Sequence, residues 1–247
     1  IKYDEIDIQN YDKYSSSLNS TLSKKYQLLK IDSDNYYSYK LLLKQDDLFM
    51  FGSGFGDEDA DNTPVYEKII DYKNKSLSDE MILIPASSIK GAISHRTTYH
   101  YNLENGFYIG DENARDVITE IFGEKKDSKN SSGSKGKVIF SDCYLQKQDT
   151  KVFDHVAIDR FTGGAIDGAL FQEKTTTYKD SFVIEILVEK TVEEKALSAF
   201  EKTLKDICNG MLPLGGMTTK GHGVFSGEVE KDSVVAIFAT TQKEGDN

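Results

Sequence analysis

The chain has 247 residues, with 30 lysines and arginines against 41 aspartates and glutamates, a formal charge of −11. That length suffices for one large domain with its own core, and the acidic balance argues against a free-standing nucleic-acid binder relying on its own basic field. Two cysteines, Cys143 and Cys208, exclude a disulfide framework, and no Cys/His spacing resembles a zinc site. No apolar run approaches the roughly 18 residues of a membrane span, so no membrane partner is expected and a reduced, cytoplasmic protein is. The chain begins at Ile1 rather than Met, which suits missing N-terminal sequence or one segment of a larger polypeptide.

Residues 1–35 are rich in Ser, Tyr, Lys and Asp and read as an N-terminal arm or linker. The main domain is expected over 36–240, with 241–247 as a tail. Its first strand is 36–43. A glycine-containing loop, Gly52-Ser53-Gly54-Phe55-Gly56, then opens an acidic stretch carrying Asp57, Glu58, Asp59 and Asp61, and residues 45–67 hold no lysine or arginine.

Ile82, Leu83 and Ile84 form a short strand that stops at Pro85. Ser87 or Ser88 then offers an N-cap, and Ile89 and Ile93 share one helical face. Such a helix start points free N–H groups and a positive dipole end outward, which suits an anion. Residues 81–103 contain no Asp or Glu, although the chain as a whole is acidic. Ser87, Ser88, Lys90, Gly91, His95 and Arg96 are therefore candidate phosphate contacts.

A short helix is predicted over 113–122, stopped by Gly123, followed by a low-complexity, mildly basic loop at 125–137. Strand signals follow at 138–144 and 182–188. The best helix spans 193–209, where Leu197, Phe200, Leu204 and Ile207 make a buried face and Gly210 closes it. Residues 212–227 then read Leu-Pro-Leu-Gly-Gly-Met-Thr-Thr-Lys-Gly-His-Gly-Val-Phe-Ser-Gly, without an acid. Gly215 and Gly216 allow close backbone approach, while Thr218, Thr219, Lys220 and His222 supply donors suited to phosphate. A tight turn before a strand would look similar. Strands over 224–229 and 234–239 end the domain. Strand, helix, strands, helix, strand is the order of an α+β, ferredoxin-like fold with long insertions.

Three motifs in order carry a resemblance. Ile84-Pro85-Ala86-Ser87-Ser88-Ile89-Lys90-Gly91, the run His155-Val156-Ala157-Ile158-Asp159-Arg160-Phe161-Thr162-Gly163-Gly164-Ala165, and the terminal Leu214-Gly215-Gly216-Met217-Thr218-Thr219-Lys220-Gly221-His222-Gly223 resemble the RAMP superfamily of CRISPR-associated proteins. The likeness spans about 36–230 and is nearest to backbone subunits of type III RNA-guided effectors. The sequence departs from the family at Ala86, where glycine is usual, and in the Met-Thr-Thr filling of the glycine loop.

This resemblance implies a modified RNA-recognition-motif fold whose copies stack along a guide RNA, held by the helix start and the glycine loop. It also implies a thumb-like β-hairpin after the Ile-Asp-Arg motif, expected at 161–177. That hairpin would have Leu170 and Phe171 at its tip, with Arg160, Thr162 and Gly163 as further RNA contacts. Catalytic relatives keep an aspartate shortly before a proline. Asp61, ahead of Pro64, is the match, as catalytic residue and as ligand of Mg2+ or a similar divalent ion, with Asp57 and Asp59 as substitutes. A solvated acidic loop is the alternative.

Three functions follow. The leading expectation is a guide-RNA-binding subunit that cleaves complementary target RNA, partnered by guide RNA, target RNA and other subunits or fused domains. A non-catalytic structural subunit of the same complex is the second. The third is a stand-alone guide-processing endoribonuclease with His222 as general base.

Overall fold

The computed structural model describes residues 35–71, 76–108, 110–124 and 133–232. The predicted arm, the 234–239 strand, the tail and residues 125–132 of the basic loop lie outside the described residues.

In chain order the elements are β1 (Tyr36–Gln45), β2 (Tyr66–Glu67), β3 (Ile70–Asp71), β4 (Ser76–Leu77), β5 (Met81–Ile84), α1 (Ala86–Asn105), α2 (Glu112–Phe122), β6 (Gly123–Glu124), β7 (Ser134–Lys135), β8 (Val138–Phe140), β9 (Cys143–Gln146), β10 (Thr150–Ile158), β11 (Ala165–Thr176), β12 (Phe182–Glu189), α3 (Glu194–Cys208) and β13 (Phe225–Asp232). The main sheet is antiparallel in the order β13-β1-β12-β8. With α1 and α3 as the two helices, that is fourth-first-third-second of a β-α-β-β-α-β chain, the ferredoxin-like arrangement.

Period-two alternation fixes which way the sheet faces. Tyr39, Leu41 and Leu43 of β1 and Phe182, Ile184, Ile186 and Val188 of β12 are buried, and α1 and α3 cover them. Helix α1 contributes Ile89, Ile93, Thr97 and Tyr101, and α3 contributes Ala196, Ala199, Phe200, Thr203, Leu204 and Ile207. Gly106 ends α1 in the left-handed conformation, at φ 69°. On the uncovered face Lys40 stands between Glu185 and Glu230 in register, and Glu228 follows beside Leu42. That face is acidic.

The structure departs from the sequence expectation at several points. The predicted 138–144 strand is two strands in two sheets: β8 pairs with β12, whereas β9 pairs with β5. The chain changes sheet at Ser141 and Asp142, where the Asp142 carboxylate accepts the Ala86 N–H at 2.7 Å. Helix α1 accordingly starts at Ala86 with Pro85 as N-cap, and neither Ser87 nor Ser88 makes a side-chain cap. Part of the basic loop is a strand, since β7 pairs with β6.

The hairpin starts earlier than predicted. It runs from Thr150 to Thr176, with His155 opposite Phe171 and Val156 opposite Leu170. Leu170 and Phe171 thus lie along the second strand, not at the tip. The tip is residues 159–164, because Asp159 builds the turn: its Oδ1 accepts the N–H groups of Phe161 (2.7 Å) and Thr162 (2.8 Å), and Gly163 takes φ 70°.

Candidate functional site

Long insertions converge on one segment, residues 46–65, between β1 and β5. Backbone bonds attach the glycine loop to it: Gly223 N–H donates to Leu48 O (2.7 Å) and Gly216 N–H to Met50 O (2.7 Å). The base of β11 attaches through Phe49 and Thr176, which exchange backbone bonds, and through Asn62, whose carbonyl accepts Lys174 N–H. The start of α1 is reached through Val65, which donates to Phe51 O and accepts from Leu83 N–H. Three distant sequence motifs are therefore built on a common scaffold.

The glycine loop is tighter than a phosphate cradle left open for a ligand. The amides of Gly216, Lys220, Gly221, His222 and Gly223 all bond within the protein. A Cβ on Gly215 (φ 96°) would lie 2.4 Å from Met50 O. Glycine at 215 is thus required by the chain's own packing. Gly221 (φ 88°) differs, since nothing lies within 4 Å of a Cβ there. Thr219 and Lys220 are exposed and Thr218 half-buried beside it, so the loop offers side chains more than amides. His222 is buried, with its ring 5.6 Å from that of Phe153 and its Nδ1 without a partner among the described residues.

The acidic loop is fastened to the hairpin. Lys174 Nζ lies 2.6 Å from Asp57 Oδ2 and 2.7 Å from Asp59 Oδ2. The lysine, together with the amides of Asp59 and Ala60, holds the Asp57 carboxyl below its ordinary range. The two carboxylates in turn raise Lys174, Asp57 first. Asp61 is exposed; its Oδ2 accepts Gln172 N–H at 2.7 Å, and its Oδ1 has no protein partner among the described residues. The ammonium of Lys174 contacts one oxygen of each of the other two carboxylates and offsets one of their two charges, which leaves Asp61 as the carboxylate of the loop without a cationic partner among the described residues. Among the described residues no group of three His, Cys, Asp or Glu could hold a metal.

The helix-start residues divide. Ser87, Ser88, Gly91 and His95 are exposed and Lys90 half-buried. Arg96 instead turns inward, its Nε 2.5 Å from Asp206 Oδ2, which also meets His100 Nε2 at 2.8 Å. This pairing locks α1 to α3. Burial alone would raise the Asp206 carboxyl, but His100 and Arg96 outweigh it and hold the group below its usual range. At the hairpin tip Arg160, Thr162 and Gly163 are exposed, and Phe161 protrudes with 94% of its surface free.

Sequence reasoning missed the first hairpin strand, which carries His155, and so missed its pairing with Glu173 of β11. His155 Nε2 lies 3.1 Å from Glu173 Oε2, and Lys220 Nζ lies 3.1 Å from His155 Nδ1. The alternation of Phe153 and His155 with exposed Val152, Asp154 and Val156 was the available signal.

The sheet order, the motif spacing and the shared scaffold agree with one family, and a family-wide comparison matches the RAMP superfamily over residues 33–226. The chain belongs to the RAMP superfamily. Membership gives it a CRISPR-associated, RNA-binding role. No curated protein matches it individually. The acidic open sheet face disfavours a nucleic-acid backbone there. Among the described residues no helix is long and apolar enough to cross a membrane.

Proposed function

We propose that this RAMP protein is a guide-RNA-binding backbone subunit of a type III effector complex and that it cleaves complementary target RNA. The observation that carries this reading is the convergence on residues 46–65 of the glycine loop, the hairpin base and the Asp61 carboxylate. Guide RNA runs along Lys90, Gly91 and the Thr218-Thr219-Lys220 edge. The hairpin, tipped by Arg160 and Phe161, divides guide from target, where aromatic stacking on a base is worth roughly 1–3 kcal/mol.

In cleavage the target's 2′-oxygen attacks the adjacent phosphorus and the bond to the 5′-oxygen breaks. Asp61 is held by Gln172 N–H through one oxygen, with the other unpartnered among the described residues, which suits it to align the attacking group or to hold an ion. Mg2+, when bound, supplies neutralisation of the phosphate charge. A purely structural subunit is the second reading, supported by the Lys174 pairing that engages one carboxylate oxygen of each of Asp57 and Asp59. Processing through His222 has less support, since that ring is buried.

The test is Asp61→Asn in the assembled complex. Cleavage is lost while guide and target stay bound, and EDTA stops wild-type cleavage without dissociating the RNA. Cleavage that persists in the variant or in excess EDTA ends the metal-carboxylate mechanism. A wild-type complex that binds guide and target but does not cut establishes the structural reading instead.

A further inference from the structure

We infer that the outward side of helix α1 carries a docking groove for a tryptophan side chain of a partner protein, and that the Asn102 carboxamide oxygen receives its indole N–H. The groove lies in the C-terminal half of α1, apart from the Lys90 and Gly91 path assigned to guide RNA, and its role does not depend on that assignment.

Helical periodicity gives α1 two sides. Ile89, Ile93, Thr97 and Tyr101 are buried against the core, while His95, Tyr99 and Leu103, four apart, stand on the opposite side and are exposed. Asn102 shares that outward side by its spacing from Thr98 and Tyr99, yet it is buried. Residues 106–108 fold back over the helix end: Phe107 N–H donates to Asn102 O at 2.9 Å, and Asn102 Nδ2 lies 3.5 Å from Tyr108 O. The result is a groove of about 360 Å³ lined by His95, Thr98, Tyr99, Asn102, Leu103 and Phe107. It has the size of a small-ligand site, and its walls are mainly apolar.

Within those walls Asn102 Oδ1 is buried and has no partner among the described residues. A buried carbonyl oxygen left unpaired carries a desolvation penalty that an incoming donor relieves. Thr98 makes no such demand, since its hydroxyl donates to Ser94 O at 2.9 Å. A single acceptor in apolar surroundings calls for an apolar group with a single donor. Indole meets that description, because its N–H donates and nothing on the ring needs a donor in return. A tyrosine hydroxyl would add acceptor lone pairs, and a lysine or arginine would bring its charge to walls without a carboxylate. Leu103, with 65% of its surface free, is the part of the wall that turns aside to admit the N–H.

Nucleic acid suits the groove poorly. Its described lining holds no lysine or arginine, and cations of α1 and α3 are engaged elsewhere: Arg96 by Asp206, Lys195 by Asn105 Oδ1 and Lys202 by Glu104. A free small molecule would leave the rim uncovered, for Tyr99 and Tyr108 are 51% and 86% exposed beside it. A central anchor with an apolar rim is the anatomy of a protein contact. The chain contains no tryptophan, so a second copy of it cannot supply the anchor.

For the same reason, the indole emission of an added probe can be followed without a protein background. Titrating the full chain into N-acetyl-tryptophanamide should shift the probe's emission to the blue, with Kd on the order of 0.1–1 mM for a ligand of this size. The 1-methylindole analogue, which lacks the N–H, should bind about fivefold more weakly. Asn102→Leu, which keeps the size and removes the acceptor, should erase that difference. Leu103→Glu, at an exposed position, should weaken both probes about tenfold by placing a carboxylate at the groove mouth. Equal binding of the two probes by the wild type, unchanged binding in Leu103→Glu, or no saturable binding at all overturns the groove. Adenosine or free tryptophan binding more tightly than the capped residue would assign the groove to a nucleobase or a small metabolite, and either result overturns the partner reading.

Discussion

Substituting Gly223 and Gly221 by alanine, one at a time, separates the glycines that build the loop from the one a ligand can approach. Gly223 has φ 73°, and a Cβ there would lie 2.0 Å from Leu214 O. Its N–H donates to Leu48 O at 2.7 Å and its carbonyl accepts Leu214 N–H at 2.8 Å, so relieving the clash breaks both bonds. The left-handed backbone costs alanine about 1–2 kcal/mol and each lost bond about 1, a total of about 3–4 kcal/mol. For a domain of this size that lowers Tm by about 10 °C. Gly221 has φ 88° with nothing within 4 Å of its Cβ. Its alanine variant should lose only the backbone term, about 1–2 kcal/mol. If RNA passes over this point, affinity should fall on the order of tenfold, beyond what the small stability change explains. Thermal unfolding by circular dichroism and RNA binding by fluorescence anisotropy measure the two effects. Equal destabilisation by the two alanines would refute the packing argument, and unchanged RNA affinity in Gly221→Ala would remove the loop crest from the RNA path.

Asp206→Ala should cost about 2–3 kcal/mol in denaturant unfolding, because it strands Arg96 and His100 between two helices. The carboxyl's lowered folded value means the stabilisation is present above the unfolded carboxylate range and is lost as pH falls through the folded value, so the wild-type advantage over Asp206→Ala should shrink in acid. Lys174→Met should loosen the acidic loop, raising protease cleavage at residues 57–61 with little loss of global stability because Asp57 and Asp59 lie at the surface; an unchanged cleavage pattern would show that the lysine does not hold the loop. Asp159→Ala removes the acceptor for the Phe161 and Thr162 amides, and hydrogen exchange at those two amides should accelerate while the core is unaffected.

Much of the fold was legible in the chain. The 3.6-residue stripe of α3, the apolar runs of β1 and β12 and the stop at Gly210 are local signals, set by which side chains one element must bury. Composition and motif order also gave the family, because the three motifs keep their spacing whatever they touch in space. The sequence was less informative where a residue's role depends on a distant partner. Ser87 and Ser88 look like N-caps, yet Asp142 supplies the carboxylate at that helix start. Arg96 looks like a phosphate contact in an acid-free stretch, and only the packing of α1 on α3 brings Asp206 to it.

The candidate site divides along the same line. Its ingredients, an acidic loop, a glycine loop and a helix start, were visible as composition. Their arrangement depends on hydrogen bonds between residues far apart in the chain, such as Lys174 with Asp57 and Gln172 with Asp61, 117 and 111 positions apart. No periodicity encodes such pairs, since they form only after the sheet and helices have brought their ends together. His155 beside Lys220 is the same kind of contact, 65 residues apart. The sequence by itself determined the elements, the family and the supply of phosphate-seeking side chains. Tertiary structure decided which of those side chains the protein uses to hold itself together and which stay exposed, because a charge can be satisfied only by what folding places within a few ångströms of it.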